Sequence, residues 1–252
     1  MIIKDSITEL KETKIWNYLY EIDSQYAEYA VTFVEYLTPI LKSIQEIFPL
    51  YTRHDAHHSY EVLVRMEQVI LPECFNKDKE SRLNHIEAFL LICSAYAHDL
   101  GMAVFPNEED KLFKQLGFDF NPDWKSNSQL KAYLRDHHSK RGGEFISTNY
   151  KILSFPRSLV NHVNLLMEAH NMSINELDSK LEKIMAGGTS EIDLKQLACI
   201  LCVADLLEFS EARIVDGVID SLKDRIKNSK DNETLKSYQE NIKHLCIGGN
   251  LA

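Results

Sequence analysis

Tyr26, Ala30, Phe33, Leu37, Leu41, Ile44 and Phe48 follow one another at steps of 4, 3, 4, 4, 3 and 4. A helix of about 3.6 residues per turn places such a series on one face, so the segment is an amphipathic helix in need of a partner surface. Pro39 lies inside it and predicts a kink or a restart, because proline removes a helical hydrogen bond. The same period recurs in Val62, Met66 and Val69 and is stopped by Pro72. From Ala88 to Ala97 the chain is apolar on nearly every side, which predicts a central, buried helix beginning near Leu83. Nine glycines and six prolines in 252 residues are too few for the tight turns of an all-β fold. The fold class expected is all-α: a single-domain helical bundle over residues 1–252, with about nine or ten helices.

Further helices are expected over Gln129–Asn149, Arg157–His170, Ser173–Met185 and about 191–208, 210–228 and 231–245. Gly187-Gly188-Thr189-Ser190 reads as a turn and helix cap. Between Met102 and Ser126 the pattern breaks at Pro106-Asn107, Gly117 and Asn121-Pro122, predicting a long irregular insertion with one short helix. Such loops are often functional, commonly as lids. The final Ile247-Gly248-Gly249-Asn250-Leu251-Ala252 has neither a helix cap nor a polar tail and reads as a cut through a longer protein.

Composition excludes several classes. Hydrophobic residues at 44% and charged residues at 26% are globular values, not those of a disordered or fibrous chain. The longest apolar runs, Phe89–Ala97 and Leu197–Leu207, are too short to span a bilayer, so no membrane partner is expected. The N-terminus reads as neither a signal peptide nor a myristoylation site, and the expected compartment is the cytoplasm. A net charge of −10 disfavours duplex nucleic acid as a partner but allows a small phosphorylated substrate, which needs only a local cluster of cations. Cys199 and Cys202 have zinc spacing but no second pair, and the five cysteines fit a reduced protein.

Ten histidines are the unusual number, and their positions are informative. Asp205 sits in Ala198-Cys199-Ile200-Leu201-Cys202-Val203-Ala204-Asp205 on the face of Ala198 and Leu201, where a carboxylate needs a positive partner. Arg213 is one candidate, a metal ion another. His98-Asp99 closes the buried helix, where the negative end of the macrodipole favours a cation, and Gly101 stands where a C-terminal glycine cap belongs. His58 precedes Val62, Met66 and Val69 by helical steps; His138 follows Leu130 and Leu134; His170 follows Leu159, Val163 and Leu166. Singly, each of these is a common hydrogen-bonded core histidine. Together with His98, Asp99 and Asp205 they form a set of potential ligands on separate helices.

The order His58, His98-Asp99, His138, His170, Asp205 resembles the HD superfamily of metal-dependent phosphohydrolases, all-helical enzymes named for the adjacent His-Asp pair. The resemblance runs from about Tyr51 to Arg213, with helical flanks over residues 1–50 and 214–252, and is most detailed in Tyr51–Ser59, Ala97–Met102 and Leu134–His138. It is also similar to HD modules at the N-terminus of longer bacterial proteins, some continuing into a GHKL-type ATPase domain, so a C-terminal effector or ATPase domain is an expected partner. The resemblance implies that His58, His98, Asp99 and Asp205 hold a first metal. It implies that Asp99 bridges to a second ion held by His138 and His170. His138 is preferred to His137, which falls off the apolar stripe. His54 reads as a supporting or substrate-contacting residue, His57 as solvent-facing and His162 as lying beside its stripe.

Met102 stands where several HD enzymes carry a lysine, and the further signature of HD-GYP diesterases is missing. Phosphate contacts are therefore sought among Arg53, Arg135, Lys140, Arg141 and Arg213, with Arg135, one turn before His138, preferred. The function implied is hydrolysis of a phosphoester or phosphoanhydride, expected of a nucleotide, by metal-activated water. Asp99, His138 and Arg135 are the catalytic candidates, with His54 or His138 as proton donor. Mixed nitrogen and oxygen ligands suit one or two ions of Mn, Fe, Co or Ni, with Mg or Zn also compatible. Two alternatives stay open: a nucleotide-sensing module with little turnover, and a di-iron oxygenase.

Overall fold

The computed structural model describes residues 5–49, 54–117, 123–181, 183–186 and 190–208. Three short polar residues set the N-terminal helices. Asp5 caps α1 (Ser6–Glu12), Thr13 caps α2 (Lys14–Ile22) and Asp23 caps α3 (Ser24–Ile47), each side chain accepting from a backbone N–H of the first turn. The stripe read from Tyr26 to Phe48 is the inner face of α3, with Phe33, Leu37, Leu41 and Ile44 buried. The assigned helix runs unbroken through Pro39, so the chain does not restart there. Pro39 and Glu35 are both exposed, so the carbonyl that loses its helical partner can be hydrated.

Asp55 caps α4 (Ala56–Val69), accepting from the N–H groups of His57 and His58. The core helix α5 (His85–Ala97) starts at a capping box between Asn84 and Glu87. Every residue from Ala88 to Ala97 is buried, and α2, α3, α4 and, further on, two later helices pack around it. Burying a side chain such as Phe89 or Leu90 contributes about 1.5–3 kcal/mol, which makes this the thermodynamic centre of the bundle.

Gly101 is not the glycine cap expected of α5. His98 and Asp99 leave the helix without a positive φ, and Leu100–Met102 forms a 3-10 turn. Gly101 is needed instead for close approach: a Cβ there would lie 1.9 Å from the His138 carbonyl oxygen and 2.8 Å from the Gly142 nitrogen. Among its described residues, the expected insertion contains one α-helix, α6 (Glu109–Leu116), ended by Gly117 at φ 73°, and a 3-10 turn at Trp124–Ser126. The long α7 (Ser128–Asn149) packs on the turn at Gly101, and α8 (Val160–Ala169) packs on α7 and α5.

The helix expected over Ser173–Met185 is shorter. A capping box of Ser173 and Glu176 starts α9 (Ile174–Lys180), and the chain then forms β1 (Lys183–Ala186), antiparallel to β2 (Ser190–Asp193) with Lys183 opposite Asp193. Two short runs around Gly187-Gly188 are a hairpin signal, and it outweighs the helical period of the few residues before it. The cap of the last described helix, α10 (Leu194–Leu207), is accordingly Asp193 and not the segment at Ser190. Among the described residues, the hairpin is a minor addition to ten helices that share one hydrophobic core. The helices read over 210–228 and 231–245, and the turn at Gly187–Thr189, lie outside the described residues. No described helix is long and apolar enough to cross a membrane.

Candidate metal centre

Five elements deliver the expected side chains to one place. His58 stands in the first turn of α4, His98 and Asp99 at the end of α5, His138 in the middle of α7 and His170 at the end of α8. Asp205 enters from α10. His58 Nε2 lies 3.3 Å from His98 Nε2 and 3.6 Å from Asp205 Oδ1, and His98 Nε2 lies 3.8 Å from the same oxygen. Beside this first group, His138 Nε2 lies 2.9 Å from His170 Nε2 and 3.7 Å from Asp99 Oδ1. The other Asp99 oxygen, Oδ2, is 3.1 Å from His98 Nε2 and 3.7 Å from His58 Nε2. One carboxylate thus faces both groups.

The donors fit metal ions in spacing and in tautomer. Ligands about 2.1 Å from one ion stand roughly 3.0–3.4 Å apart, close to the separations here. In each of His58/His98/Asp205 and Asp99/His138/His170, the donor atoms lie within 4.8 Å of one another. Each imidazole has its Nδ1 against an oxygen: Glu208 Oε2 for His58, and the carbonyls of Ala95, Arg135 and Met167 for His98, His138 and His170. Those oxygens accept, so each Nδ1 carries hydrogen and each Nε2 is left to take a proton or an ion.

The electrostatics agree. Burial works against charge on His98, yet Asp99 and Asp205 raise its pKa to about 9. Burial likewise opposes charge on Asp99, but His98, His54 and His138 hold its carboxyl well below the usual carboxylate range. His170 is depressed to about 4 by burial and by the neighbouring His98. Two carboxylates among buried imidazoles hold positive charge at the centre, and a divalent ion would displace the proton from His98.

The remaining sequence readings divide. His54 does face the centre, with Nε2 3.8 Å from Asp99 Oδ2. His137 is exposed and stacks on Tyr133, and His162 stands apart from both groups. His57 is not solvent-facing: it is half-buried, with Nδ1 2.9 Å from Glu9 Oε1, because α1 packs on α4. Arg135 is exposed, 3.7 Å from Asp136, on the rim of a cleft that His138 also lines. Arg141 is removed as a phosphate contact. Its buried guanidinium donates to the carbonyls of Gly101 and Ala103 and to Glu108, tying α7 to the turn after Asp99. Arg53 and Arg213 lie outside the described residues.

Glu208 was not read as a site residue. It is buried, and its Oε2 lies 3.0 Å from His58 Nδ1. Its signal was a carboxylate one turn after Asp205, following the apolar Leu206-Leu207. Asn171, which follows His170 in the chain, was likewise not read as a site residue. Its Nδ2 lies 3.2 Å from His138 Nε2, 3.1 Å from His170 Nε2 and 2.6 Å from Ser139 Oγ, covering the second group.

An all-helical bundle enclosing a His-Asp pair, three further histidines and a distant aspartate defines an HD-type domain. A family model described as HD-CE matches residues 48–250 of the 252, and the chain belongs to the HD-CE family. The match extends beyond the segment from Tyr51 to Arg213 on both sides. No curated protein and no solved structure matches the chain.

Proposed function

We propose that the chain is a metal-dependent phosphohydrolase acting on a small phosphorylated substrate, a nucleotide by preference. The observation that carries this reading is the position of Asp99, with one oxygen toward His98 and His58 and the other toward His138. A carboxylate so placed suits two divalent ions a few ångströms apart, the arrangement used for in-line displacement at phosphorus. His58, His98 and Asp205 would hold one ion, His138 and His170 the other, with Asp99 shared. Mn, Fe, Co or Ni match the mixed donors best. The chemistry such ions supply is Lewis acidity, which acidifies water and withdraws charge from phosphoryl oxygens.

The chain's own residues account for the rest. The carbonyl and Glu208 contacts hold the imidazoles in one tautomer and one orientation. His54, beside Asp99 but outside both ligand groups, is placed to hold a proton for the leaving oxygen. Arg135, on the rim beside His138, is placed to offset charge on the phosphate. The four free cysteines among the described residues fit a cytoplasmic enzyme.

The test is a nucleotide panel incubated with the full chain and Mn²⁺, with phosphate and nucleoside release measured. Steady release, abolished in Asp99→Ala, supports the enzyme. Saturable nucleotide binding without turnover turns the reading into a sensor, and iron-dependent oxygen uptake turns it into an oxygenase.

A further inference from the structure

A cleft of about 640 Å³ opens beside the second ligand group, and His138 and Asn171 line both. Its volume is that of a small-molecule site. The chain is acidic, with a net charge of −10, yet Arg135 and Lys140 from α7 and Lys180 from α9 meet at this cleft, against the carboxylates Asp136 and Glu168. The two lysines have little structural employment. Lys140 pairs with no carboxylate among the described residues, and Lys180 reaches only the exposed Glu176 at 3.7 Å. An exposed pair of that kind contributes little and yields readily to a better anion.

A scissile phosphate at Asp99, His138 and His170 leaves the lysines without a role in the reaction itself. We infer that the cleft receives phosphate groups beyond the one cleaved, so that the substrate carries a phosphate chain, as a nucleoside polyphosphate does, and not a single phosphate. The inference rests on the phosphohydrolase reading for the position of the scissile group. Lys140 and Lys180 are then specificity residues, acting on substrates with two or more phosphates and indifferent to a monophosphate.

Titration calorimetry on the full chain with Mn²⁺ tests this, with inorganic tripolyphosphate and inorganic phosphate as probes. Tripolyphosphate should bind about tenfold tighter or more, and Lys140→Glu with Lys180→Glu should remove about tenfold of that while leaving phosphate binding unchanged. In kinetics the same pair should raise KM for a nucleoside triphosphate and preserve kcat. Equal binding of the two probes, or tripolyphosphate binding untouched by the charge reversals, overturns the inference. Polyphosphate binding that depends on the lysines, in a chain that hydrolyses no nucleotide, upholds the cleft assignment and sinks the hydrolase reading. Hydrolysis indifferent to both lysines and to phosphate number does the reverse.

Discussion

Replacing Gly101 by alanine tests the packing that brings α7 to the centre. The new Cβ would lie 1.9 Å from the His138 carbonyl oxygen and 2.7 Å from its carbonyl carbon, both backbone atoms that cannot rotate away. To restore even 3.0 Å, α7 must retreat by about 1.1 Å along the line of contact. Overpacking of this kind costs about 1–3 kcal/mol, and alanine's stiffer unfolded chain offsets only about 0.4–1 kcal/mol of it. A net loss of about 1.3 kcal/mol lowers Tm by roughly 3–5 °C in a domain of this size. The atom that must move belongs to His138, so the variant should also lose the second metal equivalent and keep the first. Gly142→Ala is the internal control. Its Cβ would meet Met167 Cε at 2.5 Å, the far end of a flexible side chain, and mid-helix alanine is favoured over glycine by about 1 kcal/mol. Urea unfolding and metal analysis of both variants decide the matter. A Gly101→Ala protein as stable and as metal-rich as Gly142→Ala would refute the close-approach argument.

Four further outcomes are expected. Chelation should lower Tm and Mn²⁺ restore it, by about 2.7 kcal/mol at a hundredfold excess over Kd, and Asp99→Ala should abolish the response; an unchanged Tm after verified metal removal counts against ion binding by the folded state. Glu208→Ala should weaken metal binding about 10- to 100-fold in a chelator competition, with Glu208→Gln between it and the wild type because an amide oxygen can still accept from His58. His138→Ala should lose one metal equivalent with the fold retained, whereas a purely structural histidine would cost stability at unchanged stoichiometry. Glu67, whose carboxylate accepts from the Ile15 N–H at 2.9 Å, has its pKa raised by burial. The stability its carboxyl contributes is therefore full below the unfolded value of 4.5 and lost as pH rises through the folded pKa. Glu67→Gln should remove that fall, so the Tm difference between variant and wild type should grow from pH 4 to pH 8; a difference independent of pH refutes the titration.

The helices were legible because their signal is periodic and local. The inner face of α3 and the buried α5 could be read from apolar spacing alone, and so could the inward position of His58, His138 and His170. Pro39 does not restart the helix because its cost depends on which face it occupies, and the solvent face tolerates it. The pairing of β1 with β2 was missed because a helical period over a few residues competes poorly with two short runs that flank a Gly-Gly pair in the sequence. Gly101 was read for its backbone freedom, but its use is the approach of a chain segment nearly forty positions away, which no local pattern encodes.

The same distinction separates the legible from the illegible contacts around the imidazoles. His98, His138 and His170 each orient their ring by donating from Nδ1 to the carbonyl three residues earlier, at Ala95, Arg135 and Met167. A helix supplies that carbonyl automatically, and at the ends of α5 and α8 it lacks a helical partner of its own. Placing a histidine near the end of a helix therefore orients its ring as well. His58 does not use this device. It stands in the first turn of α4, where the carbonyl three positions back belongs to the cap Asp55 and accepts from the N–H of Ser59. Its Nδ1 is met instead by Glu208, at the C-terminal end of α10 one turn beyond Asp205. The helix that contributes the aspartate to the first group thus also orients a histidine of that group. Position in a helix accounts for three of the ring orientations, and only the packing of α10 on α4 accounts for the fourth.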